Sequence, residues 1–257
     1  MNKSLELLKL EAETNLFALS RNPYPGRGII TGLDETGEYL VQVYWIMGRS
    51  ENSRNRVFGC DADRLFTEAA DPAKVKDASL IIYNAMREVT SGPFRIAVVS
   101  NGNQTDGVVS AYADREGLHN RMRHYAYEPD APNFTPRITA STYWAWMGAS
   151  RSIIRMSILR KSPWSNACDR HTHAFGGIDP GFGYCFHTYS GDGDPLPAFR
   201  GEPYLLPLVG DCSKIMDTYW ETLNPQNRVS IAVKFIPRSG KSHIAVTNRF
   251  AKLIHEV

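Results

Sequence analysis

From residue 2 to residue 20, Leu5, Leu8, Ala12, Leu16 and Leu19 recur at helical spacing, which predicts an amphipathic helix that RNPYPG, 21–26, brings to an end. RGIITGL and YLVQVYWIM flank DETG and predict a hairpin with its tip at 34–37. ASLIIYNAMREV and FRIAVVS on either side of TSG predict a second hairpin, after a DPAK turn that opens at Asp71. The pattern turns helical from Thr105 to Tyr127, as two helices around Gly117. PRITASTYWAWM and SRSIIRMSILRK predict a third hairpin around Gly148 and Ala149. GFGYCFHTYS, a GDGD turn and RGEPYLLPL continue as extended chain. DCSKIMDTYWETL is a short helix capped by Asp211 or Ser213, and RVSIAVKFIP and SHIAVTN close as strands. Hairpins dominate and the helices are grouped between them, so the pattern predicts α+β with mostly antiparallel sheet rather than alternating βαβ units.

Composition narrows this picture. The chain has 257 residues with neither a linker nor an internal repeat, which suits a single domain over 1–257. With 42% hydrophobic and 22% charged residues it reads as an ordinary globular protein. A net charge of +2 gives no bulk attraction to nucleic acid or an anionic membrane, so local arginine clusters carry more meaning than the total. Lys3, Glu6, Lys9, Glu11 and Glu13 leave no apolar signal core, and no run approaches the ~20 apolar residues of a membrane span. Cys60, Cys168, Cys185 and Cys212 form no CxxC pair, which points to a reduced, cytoplasmic setting.

Four polar islands interrupt the strands. The first follows Val43–Met47: Arg49, Arg54 and Arg56 stand among Ser50, Asn52, Ser53 and Asn55. Arginine's fixed fork of donors suits phosphate, while the plainer alternative is a solvated loop paired with Glu51, Asp61 or Asp63. The second, SNGNQTDG at 100–107, follows a strand; Asn101, Asn103 and Gln104 suit the edge of a heterocycle, and Gly102 would let a ligand approach the backbone. Thr105 or Asp106 would alternatively cap the next helix. The third, YAYEPDAPNFTPRI at 125–138, places Glu128 at a helix end among Tyr125, Tyr127 and Phe134. Aromatic surroundings would fit it for proton transfer; an exposed helix-end glutamate is the alternative. The fourth, CDRHTH at 168–173, has His171 and His173 two apart, but with Cys168 and Asp169 it fits no trusted zinc signature. SGDGDP at 190–195 lacks the lysine and spacing of a phosphate-binding P-loop and reads as a hairpin turn, and no GxSxG elbow occurs.

Together, YPGRGIITG at 24–32, VYWIMGRSENSRNRVF at 43–58, IIYNAMR at 81–87, VVSNGNQTD at 98–106 and YEPDAPNFTPRI at 127–138 resemble the archaeal-type IMP cyclohydrolase family, in order and rough spacing; HTYSGDGDPLP at 187–197 adds to it. The resemblance implies a four-layer αββα fold similar to that of the N-terminal-nucleophile hydrolases. It implies no metal, no cofactor, a purine ribonucleotide as substrate and a homo-oligomer, a tetramer in the family. The implied reaction closes 5-formamidoimidazole-4-carboxamide ribonucleotide to IMP with loss of water. Tyr83 and Glu128 match positions with proton-transfer or orienting roles. The matched motifs and polar islands place Arg27, Tyr44, Arg49, Ser50, Arg54, Arg56, Asn84, Asn101, Gly102, Thr105, Asp106, Thr135 and Arg137 in the substrate-binding set. Two departures stand out. Family members begin near the position of Tyr24, so the helix over 1–23 is extra, and Trp45 stands where an arginine tends to follow the tyrosine matching Tyr44. Two other functions remain open on sequence grounds: a nucleotide-binding or regulatory protein without turnover, and an amide hydrolase that exposes Cys60 by cleavage after Gly59.

Overall fold

The computed structural model describes residues 3–61, 63–75, 78, 81–144 and 152–252. Helix α1 spans Lys3–Arg21, and strands β1 (Gly28–Leu33) and β2 (Tyr39–Met47) form the first predicted hairpin. A single helical turn, α2 (Glu51–Arg54), then leads into β3 (Val57–Asp61) and β4 (Arg64–Glu68). Strands β5 (Asn84–Ser91) and β6 (Phe94–Ser100) form the second hairpin, followed by α3 (Gln104–Ala113) and α4 (Leu118–Met122). Strands β7 (Arg137–Trp144), β8 (Ser152–Lys161), β9 (Cys168–Phe175), β10 (Phe182–His187) and β11 (Tyr204–Pro207) follow. Helix α5 (Cys212–Thr222), β12 (Arg228–Pro237) and β13 (His243–Asn248) complete the described chain.

The strands form two sheets. The six-stranded one has the order β11-β10-β1-β2-β12-β13, and the seven-stranded one runs β3-β4-β5-β6-β7-β8-β9. Every strand pair among the described residues is antiparallel. YLVQVYWIM reads as an unbroken apolar run because both faces of β2 are covered. Tyr44 and Ile46 face the seven-stranded sheet, meeting Phe58, Met86, Val99 and Ile138. Val43, Trp45 and Met47 face the other way, into a cluster with Leu19 of α1 and Ile215 and Tyr219 of α5. The far side of the seven-stranded sheet packs Ile96 and Val98 against Val108 and Tyr112 of α3 and Leu118 of α4. Strand alternation therefore sends Trp45 away from Tyr44. The indole covers Gly28, where a Cβ would lie 1.9 Å from the ring.

Several sequence expectations change. The predicted strand over 78–89 begins only at Asn84, because Ile81 and Ile82 turn back to the Ala78 carbonyl and Tyr83 sits just before the strand. The patterning over 57–68 gave no strand, yet β3 and β4 form there, at an edge of the sheet. The second helix of 105–127 stops at Met122, so Glu128 lies in a loop instead of at a helix end. Asp211, not Ser213, caps α5, accepting from the Lys214 N–H at 2.8 Å. Neither Thr105 nor Asp106 caps α3: Asn103 holds that position and makes no side-chain capping bond. The expected turn at Gly148 and Ala149 lies outside the described residues. Among the described residues no helix is long and apolar enough to cross a membrane.

Candidate functional site

The start of β1, the ends of β2, β6 and β10, and the start of β7 come together at one end of the two sheets, as the registers Gly28↔Trp45, Gly28↔His187 and Ser100↔Thr139 require. Gly26 makes the entry: at φ 75° it turns the chain against Tyr189, where a Cβ would meet the Thr188 hydroxyl at 2.3 Å. This turn delivers Arg27 on the face that looks toward the seven-stranded sheet. Its guanidinium grips both oxygens of Glu128 at 3.0 and 2.9 Å and also donates to the Asn101 carbonyl at 3.3 Å. Arg27 and Glu128 are both buried. Burial alone would lower the Arg27 pKa, but the Glu128 carboxylate overrides it and holds the guanidinium well above its ordinary value. Glu128 is thus a carboxylate clamped by arginine, neither the lone carboxyl among aromatic rings nor the exposed glutamate that the sequence offered.

This pair floors a cleft of about 230 Å³. Arg49, Ser50, Asn52, Ser53 and Arg56 form one wall, and Asp130, Asn133, Thr135, Tyr189 and Leu196 form another, with Tyr24 and Met47 between them. The arginine loop keeps its shape through two devices. Ser50 and Ser53 make a reciprocal capping box around α2, at 3.2 and 2.9 Å. Asn55 exchanges hydrogen bonds with the backbone of Asp71. The three arginines then part ways. Arg49, half exposed, lies 5.2 Å over the Tyr24 ring and pairs with Asp192 of the GDGD turn, not with Glu51, Asp61 or Asp63. Arg54 is directed elsewhere: it donates to the Gly48 and Gln226 carbonyls at 3.0 and 3.3 Å and does not line the cleft. Arg56 lines the cleft while 7% exposed, and its buried Nε has no hydrogen-bond partner among the described residues.

The polar groups of the second island are taken up by contacts within the protein. The Asn101 side-chain amide donates to the Pro136 carbonyl at 2.9 Å and accepts from the Ile138 N–H at 2.8 Å, so it ties the end of β6 to β7, and only the backbone carbonyl of Asn101 reaches Arg27. Gly102 faces the Arg137 guanidinium, 2.5 Å from where a Cβ would lie, so the close approach is by the protein itself. Arg137 in turn donates to Gln104 at 2.8 Å and Asn103 at 3.2 Å. Thr105 bonds back to the Gly102 carbonyl. Asp106 accepts from Asn84 at 3.0 Å and Arg87 at 2.8 Å. Asn84, Asn101, Gly102, Thr105, Asp106 and Arg137 therefore stand outside the lining of the cleft.

Tyr44 and Tyr83 also lie behind it. Their hydroxyls bond at 2.8 Å, both rings are buried, and both act electrostatically on Arg27. Burial raises the Tyr44 pKa well above its ordinary value, and Tyr83 adds to the shift. Trp45 shares a cluster with Tyr24 and Met47, which line the cleft, but does not line it itself. Cys60 is paired within β3, opposite Leu65, and cleavage after Gly59 would cut that strand. His171 bonds to Arg160 at 3.0 Å and His173 to Glu202 at 3.1 Å, and among the described residues no group of three His, Cys, Asp or Glu side chains converges as metal ligands do. All four cysteines are free thiols.

Residues 24–240 match the family described as IMP cyclohydrolase-like protein. The chain belongs to that family. The match begins at Tyr24, so α1 lies outside it. No curated protein matches the chain. Of the expected site residues, Arg27, Arg49, Ser50, Arg56, Glu128 and Thr135 meet in the cleft of this IMP cyclohydrolase-like chain. Asp130 and Tyr189 were not among them, although each lies inside a segment that carried the resemblance.

Proposed function

We propose that this cleft closes 5-formamidoimidazole-4-carboxamide ribonucleotide to IMP, on a four-layer αββα fold similar to that of the N-terminal-nucleophile hydrolases. The observation that carries the reading is Arg56. A guanidinium only 7% exposed, with no ion-pair partner among the described residues, is costly unless an anion completes it, and it lines a cleft already furnished with Arg49, Ser50 and Asn52. A 5′-phosphate dianion supplies that charge and matches the arginine fork. The two layers of helix outside the two sheets support the fold assignment.

With the phosphate on Arg56 and Arg49, the base reaches the floor, where Arg27 and Glu128 stand. The carboxamide nitrogen attacks the formyl carbon and gives up one of its two protons, the formamido nitrogen gives up its own as the ring C=N bond forms, and the former formyl oxygen, having taken up both protons, leaves as water. An amide nitrogen is a weak nucleophile, so orientation is the main demand on the site. Glu128, fixed by two hydrogen bonds, orients the carboxamide; Arg27 offers positive charge to the oxygen that becomes anionic. Tyr44 and Tyr83 hold Arg27 from behind. The test is absorbance-monitored IMP formation from the formylated substrate, with EDTA present. Turnover above background supports the reading. Tight IMP binding without turnover would instead make the chain a nucleotide-binding protein.

A further inference from the structure

Opposite the arginine loop, three side chains form a chain of hydroxyl contacts whose direction is fixed by their chemistry. The Thr135 hydroxyl donates to Oδ2 of Asp130, while the Thr135 N–H donates to Oδ1 at 2.7 Å. A threonine hydroxyl has one proton, and here the carboxylate takes it. The contact of 2.5 Å between the Thr135 and Tyr189 hydroxyls must then be donated by Tyr189. The phenol proton points away from the ligand, and what Tyr189 keeps is an acceptor oxygen. The ring cannot swing freely: it stacks on Tyr24 at 5.9 Å and Gly26 lies against its edge, while the Tyr189 backbone N–H, which binds the Pro25 carbonyl at 3.1 Å, fixes the main chain that carries it. Tyr189 and Thr135 both line the cleft with Glu128.

We propose that Tyr189 accepts a hydrogen bond from an N–H of the bound ligand and that Asp130, acting through Thr135, sets this polarity. On the proposed ring closure, which this inference rests on, the donor is the carboxamide nitrogen that becomes N1 of IMP. As the C–N bond forms, that nitrogen becomes more acidic, so the contact strengthens on the way to the transition state and raises kcat. Tyr189 touches substrate; Thr135 and Asp130 are positioning residues.

Asp130→Asn tests the polarity with almost no change of shape. The asparagine oxygen keeps the Thr135 N–H, its NH₂ donates to the Thr135 hydroxyl, and that hydroxyl turns its proton onto Tyr189. The phenol then becomes a donor toward the ligand. Calorimetry with IMP, which carries N1–H, and with AMP, whose N1 is an acceptor, reads this directly. The wild-type chain is expected to prefer IMP, and Asp130→Asn to cut that preference by about tenfold, the worth of one hydrogen bond with its donor and acceptor reversed. Tyr189→Phe and Thr135→Val should lower the preference and kcat, while Thr135→Ser restores both. Melting curves confirm that each variant folds. The nucleotide preference is readable even if the wild-type chain closes no ring, so loss of the reaction and loss of the polarity remain distinct results. An IMP preference unchanged by Asp130→Asn, or absent in the wild type, overturns the proposal. Failure of the wild-type chain to bind either nucleotide overturns both the polarity and the proposed function.

Discussion

Two buried ion pairs reach from the six-stranded sheet toward the seven-stranded one, and burial does not distinguish them. Arg27 and Glu128 expose 8% and 4% of their side chains; Lys234 of β12 and Glu88 of β5 expose 0% and 7%. Their surroundings differ. Glu88 also takes hydrogen bonds from Arg95 and Ser242, and Lys234 donates to the Asp63 carbonyl. Burial would raise the Glu88 pKa, yet Lys234 and these donors bring it below the ordinary carboxylate value. Every partner there is a protein group. Arg27–Glu128 instead opens onto a cleft that Arg56 also lines, with its Nε unpartnered among the described residues. A paired buried charge becomes a candidate site where its remaining side faces space for a ligand, not because it is buried.

The comparison breaks or holds on one crossed pair of variants, which carries the largest expected effects. Glu128→Gln should lower kcat by about 10²-fold, the usual effect of losing the group that orients a reacting substrate, with a modest loss of stability because Arg27 lies at the cleft. Lys234→Ala should cost about 1.5–3 kcal/mol of stability in chemical denaturation, since it removes a buried charged contact and leaves Arg95 and Ser242 to hold the Glu88 carboxylate, while the folded fraction keeps its kcat. If Glu128→Gln destabilises as much and leaves kcat intact, the two pairs are alike and both are scaffold.

How much of this was legible in sequence depends on the range of the contacts. Helix α1, the two main hairpins and α5 follow from spacing and turn residues because those signals are local. Strands β3 and β4 were missed because VFGCD and RLFTE are short and half-buried at a sheet edge, where apolar alternation is weak. The contacts of the amide island are illegible for a related reason. Asn101 and Gln104 look like ligand-reading groups, but most of their partners lie at Pro136 and along β7, more than thirty residues on, and no local pattern announces that pairing. The arginine loop was found as a loop, yet which arginine faces the cleft depends on the fold of α2. Tyr189 and Asp130 carry no local signal, because Thr135 joins them from two distant segments.

That division among the arginines gives the next effect in size. Arg56→Gln should weaken binding of IMP by about 1.5–3 kcal/mol, the range for a hydrogen bond to a charged group, and hardly change binding of inosine. Arg54→Gln should weaken both by less than about 1 kcal/mol, since its hydrogen bonds go to backbone carbonyls. Titration of the two variants with nucleotide and nucleoside decides between them. Equal loss of nucleotide affinity at both positions would mean that the whole loop acts through its fold.

The smallest effect concerns Arg49, and its sign is the informative part. Arg49 and Asp192 are 35% and 47% exposed, so their pairing is weak and screened by salt. Asp192 nonetheless holds the cation that would otherwise turn to phosphate, and it adds a negative charge where a dianion must enter. Asp192→Asn removes both hindrances, so IMP should bind tighter, by up to about 1 kcal/mol at low ionic strength. The gain should shrink as salt is added, and inosine, which lacks the dianion, should show none of it. If Asp192→Asn instead weakens IMP binding, Asp192 serves to hold Arg49 in place for the ligand, and the exposed pair belongs with the scaffold ion pairs rather than with the open side of the cleft.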